Sequence, residues 1–237
     1  MKIVLFVCTS VFTLFASAAG YVEEAGVGGV FARVSGAKEG MSAAIVRSYG
    51  GGRVISHNCV VIKAETDSAE LSCQPFDLFD SDAVPSLTLP IRKGDQAILT
   101  PLDKTALIVA PNVDRFVAAQ AANRHLRFVH PDLFAVELGR ENNPAPSAKE
   151  FAAFCGAWLI GSVIFALEDG DYTVDCATFS LLSFTAANHK GGNVEMPFFH
   201  RLDPITSGVF SGREIVNAKE FDAYYKNLFI REIDVKR

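Results

Sequence analysis

The chain is short of the residues and spacings that most protein chemistry needs. Among 237 positions it has one tryptophan, three methionines, five cysteines and five histidines. No C-x-x-C spacing occurs and no histidine sits near a cysteine pair at ligand spacing, which argues against a zinc ribbon or a thioredoxin-like redox site. There is no G-x-S-x-G elbow, no P-loop and no dinucleotide fingerprint, so the common routes to acyl transfer, phosphoryl transfer and hydride transfer lack their signatures. Basic residues are the minority, 22 against 27 acidic ones, whereas nucleic-acid binding rests on clustered cations that neutralise phosphates. Internal repeats and low-complexity tracts are missing too. These gaps favour a non-enzymatic protein with no metal and no cofactor, and they argue against nucleic acid as a partner.

What is present begins at the amino terminus. Lys2 heads an apolar run from Ile3 to Phe15, followed by the small-x-small tripeptide Ala16-Ser17-Ala18. This is the pattern of a secretory signal peptide with cleavage near Ala18. The run is shorter than the roughly 20 residues a membrane-spanning helix needs, and no stop-transfer segment follows, so the mature chain is expected to have no transmembrane segment. A periplasmic, secreted or cell-surface location follows from that reading. Cys8 leaves with the signal, and four cysteines remain: Cys59, Cys73, Cys155 and Cys176.

Four cysteines in an oxidising compartment allow three pairings. Cys59 with Cys73 and Cys155 with Cys176 are favoured. Cys59-Val-Val-Ile and Ala69-Glu-Leu-Ser-Cys73 flank the polar turn Glu65-Thr66-Asp67-Ser68. Folding about Thr66 sets Cys59 opposite Cys73, Val61 opposite Leu71 and Lys63 opposite Ala69. A bridge closing a loop of about fifteen residues contributes about 3 kcal/mol, mainly by restricting the unfolded chain.

The pattern divides the chain into a signal peptide over 1–18, a β-rich domain over 19–102, an α+β domain over 103–188 and a C-terminal extension with one helix over 189–237. Short strands are expected over Val27–Val34, Met41–Ser48, Val54–Lys63, Ala69–Pro75 and Gln96–Thr100, the spacing of a small barrel or sandwich. Asp77 to Leu89 reads as a connection crossing it. Past Asp103 the period changes. Thr105–Ala110 reads as a strand buried on both faces. Asn112 then caps a helix that places Val113, Phe116, Val117 and Ala121 on one face.

Leu126–His130 is a further strand, and Pro131-Asp132 opens a helix that Gly139 can end. Ser147-Ala-Lys-Glu150 is a capping box heading a helix with Phe151, Phe154, Cys155, Trp158 and Leu159 on one stripe. On such a stripe Trp158 reads as core. Ser162–Leu167 and Tyr172–Phe184 are expected as a hairpin about Asp169-Gly170-Asp171, and Cys155 would pin the helix to the second strand at Cys176. Asn217 to Glu220 caps a last helix carrying Phe221, Tyr224, Tyr225 and Leu228. The fold class is α+β: a small β-barrel or sandwich-like N-terminal part, then an α+β layer with two or three helices on a short mixed sheet.

Candidate chemistry is thin. His57 and His125 are isolated, and His189 and His200 lie in loops without a third ligand. Asp77 with Asp80 and Asp82, and Asp169 with Asp171, read as solvated loop and turn carboxylates rather than as an acid and base pair.

One ordered series of segments carries more. Gly40-Met-Ser-Ala-Ala-Ile-Val-Arg47, Phe76-Asp77 with Leu87-Thr-Leu-Pro90, Lys93-Gly-Asp95, Leu107-Ile-Val-Ala-Pro-Asn112, Phe128 to Leu138, the helix Phe151 to Cys155 and Tyr172-Thr-Val-Asp-Cys176 follow one another. Across roughly Ser42 to Leu182 this series resembles the N-terminal domain family of the plasminogen-binding protein PgbA. The resemblance implies an exported cell-envelope protein whose partner is plasminogen. A kringle module holds a lysine-like ligand by an acidic pair for the ammonium and basic groups for the carboxylate. Members credited with that activity carry long charged tails ending in lysine. This chain ends Asp234-Val235-Lys236-Arg237, which makes Lys236 and Arg237 the candidate partner-binding residues. The alternative partner is a periplasmic envelope complex, such as the flagellar motor, with this chain as scaffold.

Overall fold

The computed structural model describes residues 19–26, 29–76, 89–187, 192–207 and 217–234. The expected signal peptide, the connection holding Asp77, Asp80 and Asp82, and His189, Lys236 and Arg237 lie outside the described residues.

Six antiparallel strands close a barrel: β1 (Ala19–Gly26), β2 (Gly29–Arg33), β3 (Ser42–Tyr49), β4 (Gly52–Ala64), β5 (Ala69–Pro75) and β6 (Gln96–Leu99). They run in the order β1-β2-β5-β4-β3-β6, and pairing of Ala19 with Ile98 and Gly20 with Ala97 joins the ends. Alternating side chains fill the interior, among them Val22, Ile45, Val61, Leu71 and Leu99. β1 was not foreseen from the pattern. Of its eight residues only Val22 is fully buried, and Glu23-Glu24 breaks the apolar signal. Gly20 is required at the seam, since a Cβ there would lie 1.9 Å from the Arg33 carbonyl oxygen.

The Thr66 turn sets Cys59 opposite Cys73 and Val61 opposite Leu71, but a bulge at Ile62 then slips the ladder. Lys63 therefore faces Glu70 rather than Ala69. This bulge and a second one in β4 at Ser56, opposite β3, add the local twist that lets a small sheet curl shut.

One ion pair is sealed into the barrel end. Arg47 Nε donates to Asp95 Oδ1 at 2.7 Å, Arg47 Nη2 reaches the Pro90 carbonyl at 2.7 Å, and the Arg92 N–H donates to Asp95 Oδ2 at 2.8 Å. Burial alone would raise the Asp95 carboxyl. The Arg47 and Arg92 bonds and charges outweigh it and hold the carboxyl below its ordinary value of 3.8. A carboxylate depressed in the fold stabilises above its unfolded value and loses that contribution as pH falls through the folded one. The stability gap between wild type and Asp95→Asn is therefore expected to stay constant above about pH 4 and to narrow below it. Paired thermal melts from pH 7 to pH 2 measure this; a gap that widens in acid would contradict it.

The second sheet is mixed, in the order β11-β10-β9-β7-β8. Its strands are β7 (Thr105–Val109), β8 (Arg127–Val129), β9 (Ser162–Leu167), β10 (Gly170–Asp175) and β11 (Leu181–Ala186), with β7 parallel to both β8 and β9. Helices cover both faces, as a strand apolar throughout requires. On one side α1 (Val113–Ala122) lays Phe116 and Ala119 over Ala106, Ile108 and Ile164. On the other, α2 (Pro131–Arg140), α3 (Ala148–Trp158) and α4 (Phe221–Asp234) enclose Leu107, Val109, Phe165 and a cluster of aromatic rings.

Caps fall where the sequence places them. The Asn112 side chain accepts from the Arg115 N–H at 3.0 Å, and the Glu150 carboxylate accepts from the Ser147 N–H at 2.9 Å. His130 caps α2, its Nδ1 accepting from the Asp132 N–H at 3.2 Å.

Several expected details differ. The inner stripe of α1 is Arg115, Phe116 and Ala119, which leaves Val113 and Val117 about half exposed. Gly139 lies within α2, and the reversal comes at Asn142, with φ of 51°. Trp158 is 45 % exposed, donating from Nε1 to Glu137 at 3.1 Å, and Leu159 ends α3 in a left-handed conformation. The stripe fails there because the helix stops before Leu159 can follow its phase. Tyr172 to Phe184 is two strands, β10 and β11. The Asp175 carboxylate accepts from the N–H groups of Ala177 and Thr178, and Phe179 takes a φ of 60°, which turns the chain between them.

Candidate functional site

Where the barrel meets the sheet, Asp175 is fully buried and accepts from the Ser42 N–H at 2.9 Å and the Ser42 hydroxyl at 2.6 Å, besides its two turn donors. One carboxylate thus fastens β3 to the β10–β11 turn. Lys38 Nζ adds a bond to the Leu182 carbonyl at 2.5 Å. Gly161 lets the chain pass under Leu102, since a Cβ there would lie 2.0 Å from the Leu102 carbonyl oxygen.

Beside this junction opens a groove of about 570 Å³. Its barrel wall comes from β3, β4 and β5, with Ile55, Val60 and the Cys59–Cys73 bridge supplying apolar surface and Asn58 and Gln74 supplying side-chain amides. Asn58 and Gln74 are cross-strand partners. The facing wall is Gly156, Leu159 and Ile160 with Ala177 and Thr178. No ionisable side chain is among its described lining residues, apart from cysteines already paired. Such a groove can bind, and none of its described lining residues is a carboxylate, imidazole, amine or unpaired thiol that could act as a general base.

Two other hollows are less promising. One of about 530 Å³ at a barrel mouth meets His57, whose imidazole is lowered from its ordinary value by burial and by the Arg47 charge and whose Nδ1 is 3.1 Å from the Ser56 hydroxyl. The other, about 320 Å³, lies beside α2 near Val136 and Leu202.

The favoured cysteine pairs lie together. Cys59 and Cys73 are 4.1 Å apart at Cα, and Cys155 and Cys176 are 6.0 Å apart, tying α3 to the end of β10. The other candidates scatter. His200 is buried, which lowers its imidazole, and His130 serves as a cap. Asp169 accepts from the Tyr172 hydroxyl at 2.8 Å and from Lys226 at 2.6 Å, whereas Asp171 lies 3.7 Å from the buried Arg115 guanidinium. Among the described residues no three His, Cys, Asp or Glu side chains are placed to hold a metal ion, and no helix is long and apolar enough to cross a membrane.

The sequence reading missed the groove itself, because its walls lie far apart in the chain. Gly156, inside a helix otherwise rich in apolar residues, was the one available signal.

No solved structure matches the chain. Among curated proteins it is similar to two Helicobacter pylori proteins named plasminogen-binding protein PgbA, from strains 26695 and J99, each 23 % identical over 184 residues. The aligned part covers 76 % of this chain but 39 % and 40 % of those relatives, so the chain spans about two fifths of their length. The profile described as plasminogen-binding protein pgbA N-terminal matches residues 26–229. That range takes in the barrel from the end of β1, the whole sheet and most of α4, and the chain belongs to the PgbA N-terminal family.

Proposed function

We propose that this protein is exported and acts outside the cytoplasm by binding another protein, plasminogen, without catalysing a reaction. The family match over residues 26–229 carries the reading. Two cysteine pairs at disulfide distance suit an oxidising compartment. A cleft whose described lining residues include no titratable side chain beyond paired cysteines suits recognition better than bond making. Lys236 and Arg237 supply positive side chains of the kind that an acidic pair in a lysine-binding module recognises.

The test immobilises the chain from Ala19 onward and measures plasminogen capture by surface plasmon resonance. A soluble lysine analogue, or removal of Lys236 and Arg237, is expected to lower capture at least tenfold. Capture unchanged by both treatments would rule out Lys236 and Arg237 as the ligand.

A further inference from the structure

We propose that the groove between the barrel and α3 binds an uncharged, apolar segment of a partner polypeptide. This goes beyond plasminogen capture, because a lysine-type ligand brings charges that none of the groove's described lining residues can meet. The groove is of ordinary ligand-site size, its volume of about 570 Å³ lying inside the usual range of about 300–1,000 Å³. With no ionisable group among its described lining residues, an acidic peptide, an anionic lipid or a nucleotide would lose hydration without gaining a counter-charge. Neutrality of the described lining therefore selects neutrality of the occupant.

Its polar groups narrow the class further. Asn58, Ser72 and Gln74 each carry both a donor and an acceptor at the groove, while the Thr178 hydroxyl is engaged with Ser180. A peptide backbone carries one of each per residue and must satisfy both when covered, whereas an alkyl chain has neither. Leu102 and Leu159 line the same groove while 36 % and 46 % exposed, apolar surface that an apolar partner would cover.

Gly156 supplies the independent observation. Glycine is the poorest helix former after proline, yet a Cβ on Gly156 would meet nothing within 4 Å and its backbone has no positive φ. Packing does not demand it. What the missing side chain does is keep the α3 wall of the groove low.

The experiment selects peptides from a displayed random heptapeptide library on the immobilised protein and measures the affinity of enriched sequences by fluorescence anisotropy. Enriched peptides are expected to lack Asp, Glu, Lys and Arg at their central positions. They should bind Gly156→Ala as they bind wild type, and Gly156→Phe, which fills the groove, at least tenfold more weakly. Leu159→Asp, at an exposed left-handed position that Asp tolerates, sets a charge on the apolar wall and so closes the groove to an apolar occupant, which keeps the test decisive should Gly156→Phe fail to fold. Plasminogen capture by these variants should be unchanged, which separates this site from the chain terminus. Charged consensus peptides, equal affinity for a folded occluded variant, or retention of a neutral monoacylglycerol with no peptide enrichment would each overturn the proposal.

Discussion

Removing residues 217–237 is expected to leave the sheet unable to fold. The reason is where α4 puts its side chains: Phe221, Tyr225 and Phe229 are 2 %, 0 % and 0 % exposed, in the same core as Leu107, Phe151 and Phe165. The Phe229 ring lies 5.6 Å from Phe165 and 5.3 Å from Tyr172, and Tyr225 packs 5.2 Å from Phe165 while its hydroxyl donates to the Pro197 carbonyl. Truncating one buried phenylalanine to alanine costs about 3–5 kcal/mol. A whole domain has only about 5–15 kcal/mol of net stability. Phe229→Ala should therefore fold with a much lower urea midpoint, and loss of all three rings should exceed what the sheet can withstand. Circular dichroism and urea titration decide it. A truncated chain with a cooperative, near wild-type transition would show that the sheet does not depend on α4.

The second large effect is expected at Asp175. Four donors converge on this buried carboxylate, two from Ser42 on the barrel and two from Ala177 and Thr178 on the turn. Hydrogen bonds to a charged group are each worth about 1.5–3 kcal/mol, and removing the acceptor strands donors that water reaches poorly. Asp175→Ala should cost about 3–5 kcal/mol. Asp175→Asn retains one oxygen and should lose less. Because the same carboxylate fastens the barrel to the sheet, calorimetry of Asp175→Ala is expected to resolve two transitions where wild type has one. A single transition shifted by less than about 1 kcal/mol, the scale of one ordinary hydrogen bond, would mean that other contacts carry the junction.

Much of the architecture was legible because it rests on local rules. Period-two alternation marks β2 to β6, the continuous apolar run marks β7, and Asn112, Ser147 and Asn217 announce helix starts through side-chain bonds only one turn long. The placing of Cys59 opposite Cys73 follows from folding one polar turn. The errors also have local causes. β1 was hidden because Glu23 and Glu24 interrupt its pattern on a strand whose interior face is mostly small. Val113 and Val117 were put inside because apolar spacing alone cannot show which of two stripes faces a sheet. Arg115 takes the inner stripe instead, its guanidinium bonding the Leu167 carbonyl.

The groove could not be read in this way. Residues near 43, 58, 73, 102, 156 and 178 line it together, and their proximity depends on a closed barrel docking against a helix that one bridge ties to a different sheet. Sequence by itself determined most of the strand and helix order, the α+β class and the family, since these depend on neighbours a few residues apart or on an ordered series of short segments. Tertiary structure alone decided that Asp175 joins the two parts, that α4 belongs to the sheet's core, and that a cleft lies between barrel and α3. Burial and close approach across hundreds of backbone atoms are properties of the folded chain, and no short-range pattern encodes them.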